Sequence, residues 1–427
     1  MQNKIYTVAI IGVGARGGNA YGKLINKCPE KYKITHLCDM REDRIVFFGE
    51  MFSVPAENRY TDENEFFKKK RADIILIATP DTEHIKHCLK AFELGYDVLC
   101  EKPLTDKAGE CEALLDAQKK YGNKVLVCHV LRYAPAYLKV AQIIDSGAIG
   151  RLVAINWTEP VGYWHQAHSY VRGNWRNTEI SAPMILAKSC HDLDLIQFYA
   201  KSKCKSVSSI GDLTFFKPEN APEGSADRCQ NCRSKDSCPY SAYRIYIERW
   251  KDAGCPETEW PYNVLATEPV TEEKIISAIE SGPYGRCVFR CDNNVVDHQT
   301  VQMLFENGIT ATLHMNAFNL HGGRRVALFG TYGEIFLDEK TITLSVFGKP
   351  TETIKVDVPT DEADYAHGGG DARLISGLYD MMEGNLSMET SLEASVESHL
   401  IGIKAEESRL SGGKTLLVHQ KDKVFAF

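Results

Sequence analysis

Five short apolar runs alternate with polar stretches over the first 130 residues. Continuous apolar runs of this length are typical of strands that are buried on both faces of a parallel sheet. The polar stretches between them are compatible with helices. The alternation predicts an α/β domain with a doubly wound parallel sheet over residues 1–130. The runs are YTVAIIG, ITHLCD, ADIILIAT, YDVLCE and KVLVCHV.

After about residue 150 the pattern changes to longer segments with strand character. Asn307-Gly308 lies inside one of them and is a strong hairpin signal. Helical patterns return at 371–383 and 390–410, before a last short strand-like stretch, KTLLVHQ. We expect residues 131–427 to form an α+β domain with a mostly antiparallel sheet. The strand-like segments are RLVAINWTEP, TVQMLFENGITATLHMN, RRVALFGTYGEIFLDE and TITLSVFG.

Composition and charge narrow the class of protein. The chain has 427 residues, of which 44% are hydrophobic and 25% charged, as in a globular protein large enough for two domains. A formal net charge of -7 and a pI near 6.0 argue against a nucleic-acid partner. Glycines break the apolar run near the start, and no other run has the length of a membrane span. We therefore expect a cytoplasmic protein with no membrane contact.

A glycine-rich turn, GVGARG, directly follows the first predicted strand. Gly12, Gly14 and Gly17 fit the G-x-G-x-x-G spacing. In that motif one glycine makes a tight turn, one lets the backbone approach a pyrophosphate and one allows close helix packing. The helix that follows would offer its free N–H groups to the phosphates, with Arg16 in its first turn. The turn predicts a Rossmann domain that binds a dinucleotide, and the alternative is a glycine turn with a purely structural role.

Asp39 closes the second predicted strand. A carboxylate at this place accepts hydrogen bonds from both ribose hydroxyls of an adenosine and repels a 2′-phosphate. Arg41, two residues later, opposes this inference because an arginine can pair with a phosphate. The balance favours NAD over NADP.

Glu101-Lys102-Pro103 follows the fourth of these predicted strands. In an open parallel sheet, ligands gather at the carboxyl ends of the strands. A lysine there, beside a nicotinamide, can hold a substrate hydroxyl or relay its proton. The alternative for this tripeptide alone is a surface Glu–Lys pair before a rigid turn.

The stretch LAKSCHDLDL, residues 186–195, concentrates ionisable side chains among apolar ones. On a helix, Lys188, His191 and Asp192 would share one face. Each such group costs free energy to desolvate unless it has a partner. The residues alone leave three interpretations open: a catalytic constellation, a metal site, or a salt-bridged part of the core.

Four motifs in sequence order resemble the Gfo/Idh/MocA family of oxidoreductases: GVGARG, ATPDTEH, EKP and LRYAP. The stretch GTYGEI and the sheet-rich second half are similar to that family as well. The resemblance implies a nicotinamide cofactor and a small-molecule sugar or polyol substrate. It also implies a homo-oligomer, a dimer or tetramer, which associates through the open face of the second sheet. Cofactor contacts are implied for Thr79, Pro80, His84, Glu101 and Lys102, and a substrate contact for Arg132.

The same resemblance assigns a role to the ionisable stretch. Many members carry an Asp, then a His four residues later, then an Asp three residues after that, on a helix that lines the substrate pocket. Here His191 and Asp194 match the second and third positions, whereas Ala187 stands at the first, with Lys188 beside it. The resemblance implies that His191 is the acid/base partner of Lys102, with Lys188 as a further catalytic candidate. The missing Asp argues against simple secondary-alcohol dehydrogenation.

Other residues are candidates for substrate contact. Residues 158–177 combine aromatic rings with hydrogen-bonding groups, which suits the C–H face and the hydroxyls of a sugar, although a partly buried aromatic loop fits equally well. Three glycines after position 367 let a backbone approach a ligand closely. The substrate candidates are Tyr163, Trp164, Trp175, Arg176, Asp192 and His367.

Six of the fourteen cysteines lie between residues 229 and 291. They fall in a segment, about residues 216–294, that is rich in Pro, Gly, Cys and charge and that we expect to be an insertion or lid. Cys229, Cys232, Cys238 and Cys255 are candidate ligands for a structural zinc ion, with Cys287 and Cys291 as alternates. Free thiols or an iron–sulfur cluster are the other interpretations. We expect no structural disulfides.

These observations together predict an NAD-dependent oxidoreductase that transfers hydride at a carbinol carbon of a sugar, polyol or glycoside. Two alternatives stay open. One is a redox-neutral enzyme that retains its NAD, oxidises a glycoside transiently, eliminates the glycosidic group and reduces the product again. The other is a non-catalytic protein that senses NAD and sugar.

Overall fold

The apolar runs near the start of the chain form a six-stranded parallel sheet, as predicted. We describe it from a computed structural model, which describes residues 4–357, 367–385 and 390–419. The strands are β1 (Tyr6–Ile11), β2 (Tyr32–Cys38), β3 (Arg59–Tyr60), β4 (Ile74–Ile77), β5 (Asp97–Cys100) and β6 (Val125–Val127). Their order, β3-β2-β1-β4-β5-β6, is that of a Rossmann domain, with its crevice between β1 and β4. Only the two-residue β3 lacks an apolar run that predicts it.

Helices cover both faces of this sheet because neighbouring side chains of a strand point to opposite sides. Val8 and Ile10 of β1 enter one apolar core, and Ala9 and Ile11 enter the other. A π-helical turn, Ala15–Gly22, follows β1. The helices of this part are α1 (Lys23–Asn26), α2 (Glu42–Met51), α3 (Glu63–Phe66), α4 (His84–Glu93) and α5 (Ala108–Tyr121).

The second sheet has nine strands and is antiparallel except for one pair, which confirms the predicted α+β architecture. The strands are β7 (Leu152–Gly162), β8 (Cys204–Asp212), β9 (His298–Phe305), β10 (Thr310–Asn319), β11 (Arg325–Gly330), β12 (Gly333–Asp338), β13 (Thr341–Val346), β14 (Glu352–Lys355) and β15 (Leu416–Leu417). Their order is β14-β13-β12-β11-β7-β10-β9-β8-β15, and β7 and β10 are the parallel pair. Gly308, with a φ of +87°, turns β9 into β10 at the predicted hairpin.

The helices of the second half pack on the second sheet, return to the first domain or, as α10 to α12 do, belong to the insertion between β8 and β9. They are α6 (Pro135–Asp145), α7 (Tyr163–His165), α8 (Met184–Ala187), α9 (Cys190–Ala200), α10 (Arg249–Asp252), α11 (Tyr262–Leu265), α12 (Glu272–Ser281), α13 (Gly370–Glu383) and α14 (Leu392–Leu410). Leu374 and Leu378 of α13 belong to the same apolar core as Val8 and Ile10. Helix α13 therefore completes one core of the Rossmann domain.

Residues 213–297, between β8 and β9, contribute no strand to either sheet. They form an insertion with a small core of its own, to which Tyr246, Trp250 and Ile275 contribute. The ring of Tyr284 stacks on His168 at a centroid distance of 4.9 Å. The insertion therefore packs on the segment that follows α7.

The longest helix in the described part of the chain, α14, has 19 residues and carries several charged side chains. Among the described helices, none combines the length and the apolar character that a membrane span requires.

Candidate active site

The turn after β1 has the steric properties of a pyrophosphate-binding loop. Gly12 has a φ of +86°, and a Cβ on it would lie 2.4 Å from the carbonyl oxygen of Ala78. A Cβ on Gly17 would lie 2.0 Å from the carbonyl oxygen of Gly12. A Cβ on Gly14 would meet only the Arg44 side chain, at 3.3 Å. The protein itself therefore requires the first and third glycines, and the second leaves a backbone that a ligand can approach, so the residues present fit a dinucleotide.

Asp39 is held beside this turn by two backbone hydrogen bonds. The Val13 N–H donates to its Oδ2 and the Arg41 N–H donates to its Oδ1, both at 2.9 Å. The Arg41 guanidinium is turned to the exposed carboxylate of Asp43. Arg44, which the sequence analysis did not single out, places Nη1 3.9 Å from Asp39 Oδ2.

The Arg16 side chain is part of a buried ion network at the crevice. Its Nε donates to Glu101 Oε1 at 2.8 Å, and its Nη2 donates to Asp371 Oδ1 at 2.6 Å and to the hydroxyl of Tyr21. Although burial raises the pKa of Glu101, the charges of Arg16 and Lys102 hold it below its usual range. Arg16 thus anchors the turn from within, which leaves its backbone, and not its guanidinium, for the phosphates.

Asp371 lies in the first turn of α13, whose N-cap is Gly369. Its Oδ2 lies 3.2 Å from Nδ1 of His367. Although burial raises the pKa of Asp371, the charge of Arg16 holds it well below its usual range. The aspartate therefore binds the loop of His367 to the crevice.

The loops that follow β4 and β5 are joined by His84. Its Nε2 lies 2.8 Å from the carbonyl oxygen of Thr79, and its Nδ1 lies 2.7 Å from that of Pro103. The hydroxyl of Thr79 is within 3.0 Å of His87 Nδ1, and Pro80 begins a short turn after it. These residues shape the crevice wall from inside the domain.

The Lys102 side chain reaches the segment that leads to His191. Lys102 Nζ donates to the carbonyl oxygen of Ala187, at 3.1 Å. His191 is only 6% exposed, and its Nδ1 has no hydrogen-bond partner within the described part of the chain. The rings of His129 and His367 have their centroids 6.0 Å and 5.9 Å from that of His191. Burial and the charge of Lys102 hold the pKa of His191 well below its usual range, so its imidazole is neutral near pH 7.

The stretch around Lys188 is not one helix. α8 ends at Ala187 and α9 begins at Cys190, so the main chain breaks at Lys188. Lys188 Nζ lies 3.0 Å from Glu159 Oε1, and the other oxygen of Glu159 lies 2.9 Å from Nε of Arg324. The guanidinium of Arg324 also bonds to Asp192. Glu159 on β7 and Arg324, which directly precedes β11, therefore complete an ion cluster. The sequence analysis did not single out either residue.

The two acids of this cluster are more deeply buried than its two bases. Asp192 is fully buried and accepts a hydrogen bond of 2.8 Å from Trp157 Nε1, so solvent reaches only Lys188 and Arg324. Burial raises the pKa of Asp192 to about 6 against the opposing charge of Arg324. Although burial also acts on Glu159, the charges of Arg324 and Lys188 keep its pKa below the usual range. Asp192 is therefore a support for Arg324 and not itself a surface for substrate.

The candidate substrate residue Arg132 is buried in a different ion pair. Its Nε and Nη2 donate to the two oxygens of Asp194 at 2.6 Å and 2.7 Å. This bidentate pair, with Gln197 beside it at 3.2 Å, connects α9 to the turn before α6. The guanidinium is occupied by these contacts inside the protein, which corrects the expectation of a substrate contact.

The aromatic candidates lie between the second domain and the insertion. The ring centroid of Trp164 lies 5.3 Å from that of Trp260, and the guanidinium of Arg249 lies 4.3 Å from the Trp164 ring. The ring centroid of Tyr163 lies 5.9 Å from that of Tyr240. Trp175 Nε1 donates to Asp81 across the domain boundary, at 3.4 Å. Arg176 pairs with Asp292 at 2.7 Å, so it fastens the insertion.

His165, which was not among the site candidates, packs against Trp260 with the two ring centroids 4.9 Å apart. Burial, followed by the charges of Lys188, His168, Arg324 and Lys102, holds its pKa well below the usual range. Lys102 and Arg324 act in the same way on His191. Both histidines are therefore neutral near pH 7.

The missed residues left weak signals in the sequence. Glu159 is the one charged residue of β7, and Arg324 follows two glycines, HGGRR, just before β11. Neither feature predicts which residue forms an ion pair with the charge, because the partners lie in distant segments of the chain.

Two family models match consecutive parts of the chain. The model described as "Oxidoreductase family, NAD-binding Rossmann fold" (GFO_IDH_MocA) matches residues 6–129, and the GFO/IDH/MocA C-terminal domain model matches residues 137–230. Together they cover about half of the chain.

Individual proteins show the same similarity. The oxidoreductase YteT of Bacillus subtilis is 24% identical over 397 residues, which covers 87% of this chain and 88% of YteT. Inositol 2-dehydrogenase of Rhodococcus erythropolis is 27% identical over 232 residues, 53% of this chain and 61% of that enzyme. The structure of levoglucosan dehydrogenase in complex with NADH and levoglucosan superposes with a TM-score of 0.67 at 17% identity, and covers 98% of this chain and 100% of the other. At that identity the likeness shows the fold.

Proposed function

Because the chain belongs to the Gfo/Idh/MocA family of NAD-binding oxidoreductases, we propose that it oxidises or reduces a carbinol carbon of a sugar or polyol. A bound nicotinamide supplies the hydride acceptor or donor. The protein binds and orients the substrate hydroxyl and moves its proton.

The observation that carries this proposal is the state of His191. A buried polar atom without a partner costs free energy, and the Nδ1 of this histidine is such an atom. The neutral imidazole is suited to accept a proton from a hydroxyl, and Lys102 stabilises the oxygen that loses it. A substrate hydroxyl placed between the two would satisfy Nδ1.

The other walls of the crevice suit a polyhydroxylated ligand. Lys188 and Arg324 offer charged donors that are fixed by Glu159 beneath them. Trp175 and Tyr170, with ring centroids 6.4 Å apart, form an aromatic side against which the C–H face of a sugar can pack. The names of the relatives, an inositol dehydrogenase and a levoglucosan dehydrogenase, agree with this class of substrate.

We propose that NAD is the preferred cofactor. The carboxylate of Asp39 is fixed beside the glycine turn, where it accepts ribose hydroxyls and repels a 2′-phosphate. Arg41, whose positive charge could bind the 2′-phosphate of NADP, is paired with Asp43 instead.

We also propose that copies of the chain associate through the outer face of the nine-stranded sheet. Phe336 on β12 is 43% exposed and packs at 6.1 Å against the ring of Phe329 on β11. Leu304 on β9 is exposed on the same sheet. An uncovered apolar sheet face is a common surface for association.

The test is turnover with a panel of sugars, polyols and glycosides, with NAD or NADP added. We expect reduced cofactor to accumulate in step with oxidised product for at least one polyol or sugar. Glycoside consumption with no net reduction of the cofactor would instead show the redox-neutral cycle. Tight binding of sugar and NAD with no chemical change in any member of the panel would show a sensor and overturn the proposal.

A further inference from the structure

Four cysteines of the insertion line one small cavity, and neither Lys102 nor His191 belongs to its lining. The cysteines are Cys229, Cys232, Cys238 and Cys287, and the cavity has a volume of about 20 Å³. A bridge between Arg228 and Arg286 brings the two ends of the insertion together, and the Cys287 N–H donates to the carbonyl oxygen of Asp227 at 2.8 Å. This pairing carries Cys287 to three cysteines that lie some fifty residues earlier.

Cys255, the fourth ligand considered from the sequence, lies elsewhere. It is exposed, has a φ of +58° and does not line the cavity. Sequence spacing gave it preference because it is the next cysteine along the chain. Tertiary pairing brings in Cys287 instead, because an isolated antiparallel bridge joins Arg228 to Arg286.

The charges around the cavity are of one sign. Arg172 and Lys235 line it, and none of its lining residues carries a carboxylate. Arg172 is fully buried, and its guanidinium donates to the carbonyl oxygens of Arg286 and Tyr240, both at 2.7 Å. Its Nη1 has no partner among the described residues. A buried guanidinium with no carboxylate beside it costs free energy, and an anion bound in this cavity would compensate its charge.

The sulfur atom of Cys229 already receives hydrogen bonds. The Ala242 N–H lies 3.4 Å from it and Arg172 Nη2 lies 3.7 Å from it. Donors of this kind stabilise a metal-bound thiolate. They supply little to a neutral thiol, which is a weak acceptor.

We propose that Cys229, Cys232, Cys238 and Cys287 bind a metal centre as four thiolates. Four thiols lose four protons to solvent when they bind Zn²⁺ or a [4Fe–4S]²⁺ core, no electron is transferred, and either complex carries a net charge of two minus. That charge is the counter-ion of Arg172 and Lys235.

Two dimensions bear on which centre is bound. The cavity holds about one water-sized body, which suits a single ion. Among the described residues, no three cysteine sulfurs lie within 4.8 Å of one another, whereas Zn–S bonds of about 2.3 Å place tetrahedral sulfurs about 3.8 Å apart. Binding of zinc therefore requires the four sulfur atoms to move closer together, whereas binding of an iron–sulfur cluster requires a larger cavity. Both centres are ligated by four thiolates, and the measured content of zinc, iron and sulfide distinguishes them.

The centre would stiffen one wall of the candidate active site. Arg172 ends the π-helical turn Gln166–Arg172, which directly follows α7 and carries His168. The metal would thus fix both ends of the insertion and the aromatic segment beside the crevice. This consequence rests on the proposed function, whereas the metal site itself does not.

The first experiment is elemental analysis of the full-length protein, purified anaerobically without chelator, with acid-labile sulfide measured in parallel. About one zinc per chain, or about four irons with four sulfides, supports the proposal and identifies the centre. Neither metal bound, with all four thiols reacting freely in the native protein, overturns it.

The second experiment assigns the ligands. Cys232→Ser and Cys287→Ser should each lower the metal content at least tenfold, and Cys255→Ser is the matched control that should keep it. Retention of the metal in both of the first two variants overturns the assignment. A mercurial titration of the wild-type protein needs no variant to fold: metal should leave as four thiols are modified, and release without thiol modification contradicts the site.

Discussion

Arg16 and Asp371 are 355 residues apart in sequence, yet their side chains form a 2.6 Å ion pair next to the predicted cofactor crevice. The aspartate is almost fully buried, and it also bonds to His367. The pair ties the glycine turn that follows β1 to the start of α13. It explains how a C-terminal helix becomes part of the nucleotide-binding domain.

Removing Asp371 should destabilise the protein strongly. Asp371→Ala leaves Arg16 with only Glu101 as a counter-charge, and breaking a buried pair costs about 3–5 kcal/mol. Denaturant unfolding measures the free energy. Asp145→Ala, which breaks the exposed pair with Lys201, is the control and should cost about 0–1 kcal/mol. Equal effects of the two variants would show that the buried network contributes no special stability.

Lys102→Met and His191→Ala should each lower turnover about a hundredfold or more, the usual scale for loss of a positioned acid/base group. The affinity for NAD should change little, because neither side chain has to reach the phosphates. Lys107→Met, on an exposed side chain of the same loop, is the matched control and should keep full activity. Steady-state rates and cofactor titration by fluorescence give both quantities. Full activity in either active-site variant would leave LAKSCHDLDL as a purely structural segment.

Asp39→Ala should weaken NAD binding about 10- to 100-fold, the scale of hydrogen bonds to a charged group. It should also narrow the preference over NADP, because the repelling charge is gone. Asp43→Ala is the informative companion, since it frees the guanidinium of Arg41 and should improve NADP binding alone. Fluorescence titration of both cofactors measures these changes. A preference that does not move in Asp39→Ala would remove the assigned role.

Buried histidines should make the protein sensitive to acid. Burial and the charge of His129 lower the pKa of His399 from its ordinary value of 6.5 to about 3. The unfolded chain therefore binds the proton first as the pH falls, so stability is present above about pH 6.5 and is lost below it. Between pH 7 and pH 5 this one group should remove about 2 kcal/mol.

His399→Gln tests this directly. Its amide can replace the contacts of the ring with the Leu104 N–H and the Ser395 carbonyl oxygen, but it does not titrate. The difference in unfolding free energy between pH 7 and pH 5 should shrink by about 2 kcal/mol. His314→Gln, on an exposed position of β10, should leave that difference as it is. An identical pH dependence in His399→Gln and the wild type would contradict the prediction.

Phe336→Asp should shift the protein toward monomer if the outer sheet face is the association surface. A charge in an apolar contact loses hydration without gaining a partner. Light scattering coupled to gel filtration measures the mass, and Tyr121→Asp, at an exposed aromatic position on α5, is the control. An unchanged mass in Phe336→Asp, together with an oligomeric wild type, would place the interface elsewhere.

The sequence by itself determined the elements whose cause is local. Apolar runs bounded by polar stretches specified the strands of the Rossmann sheet, because a strand buried on both faces has to be apolar at each position. Gly12, Gly14 and Gly17 specified the phosphate turn, because a side chain at the first or third position would collide with the backbone. The family followed from the order of these motifs.

Only the tertiary structure decided which charges and thiols are partners. The sequence predicts Lys188 and Asp192 as neighbours on one helix, but they pair with Glu159 on β7 and with Arg324, which directly precedes β11. Arg132 was expected to contact substrate, but its guanidinium is paired with Asp194 inside the protein. An ion pair needs only proximity and opposite charge, and neither leaves a periodic pattern along the chain. Local sequence therefore states that a buried charge must have a partner, and the packing of distant segments determines which residue that partner is.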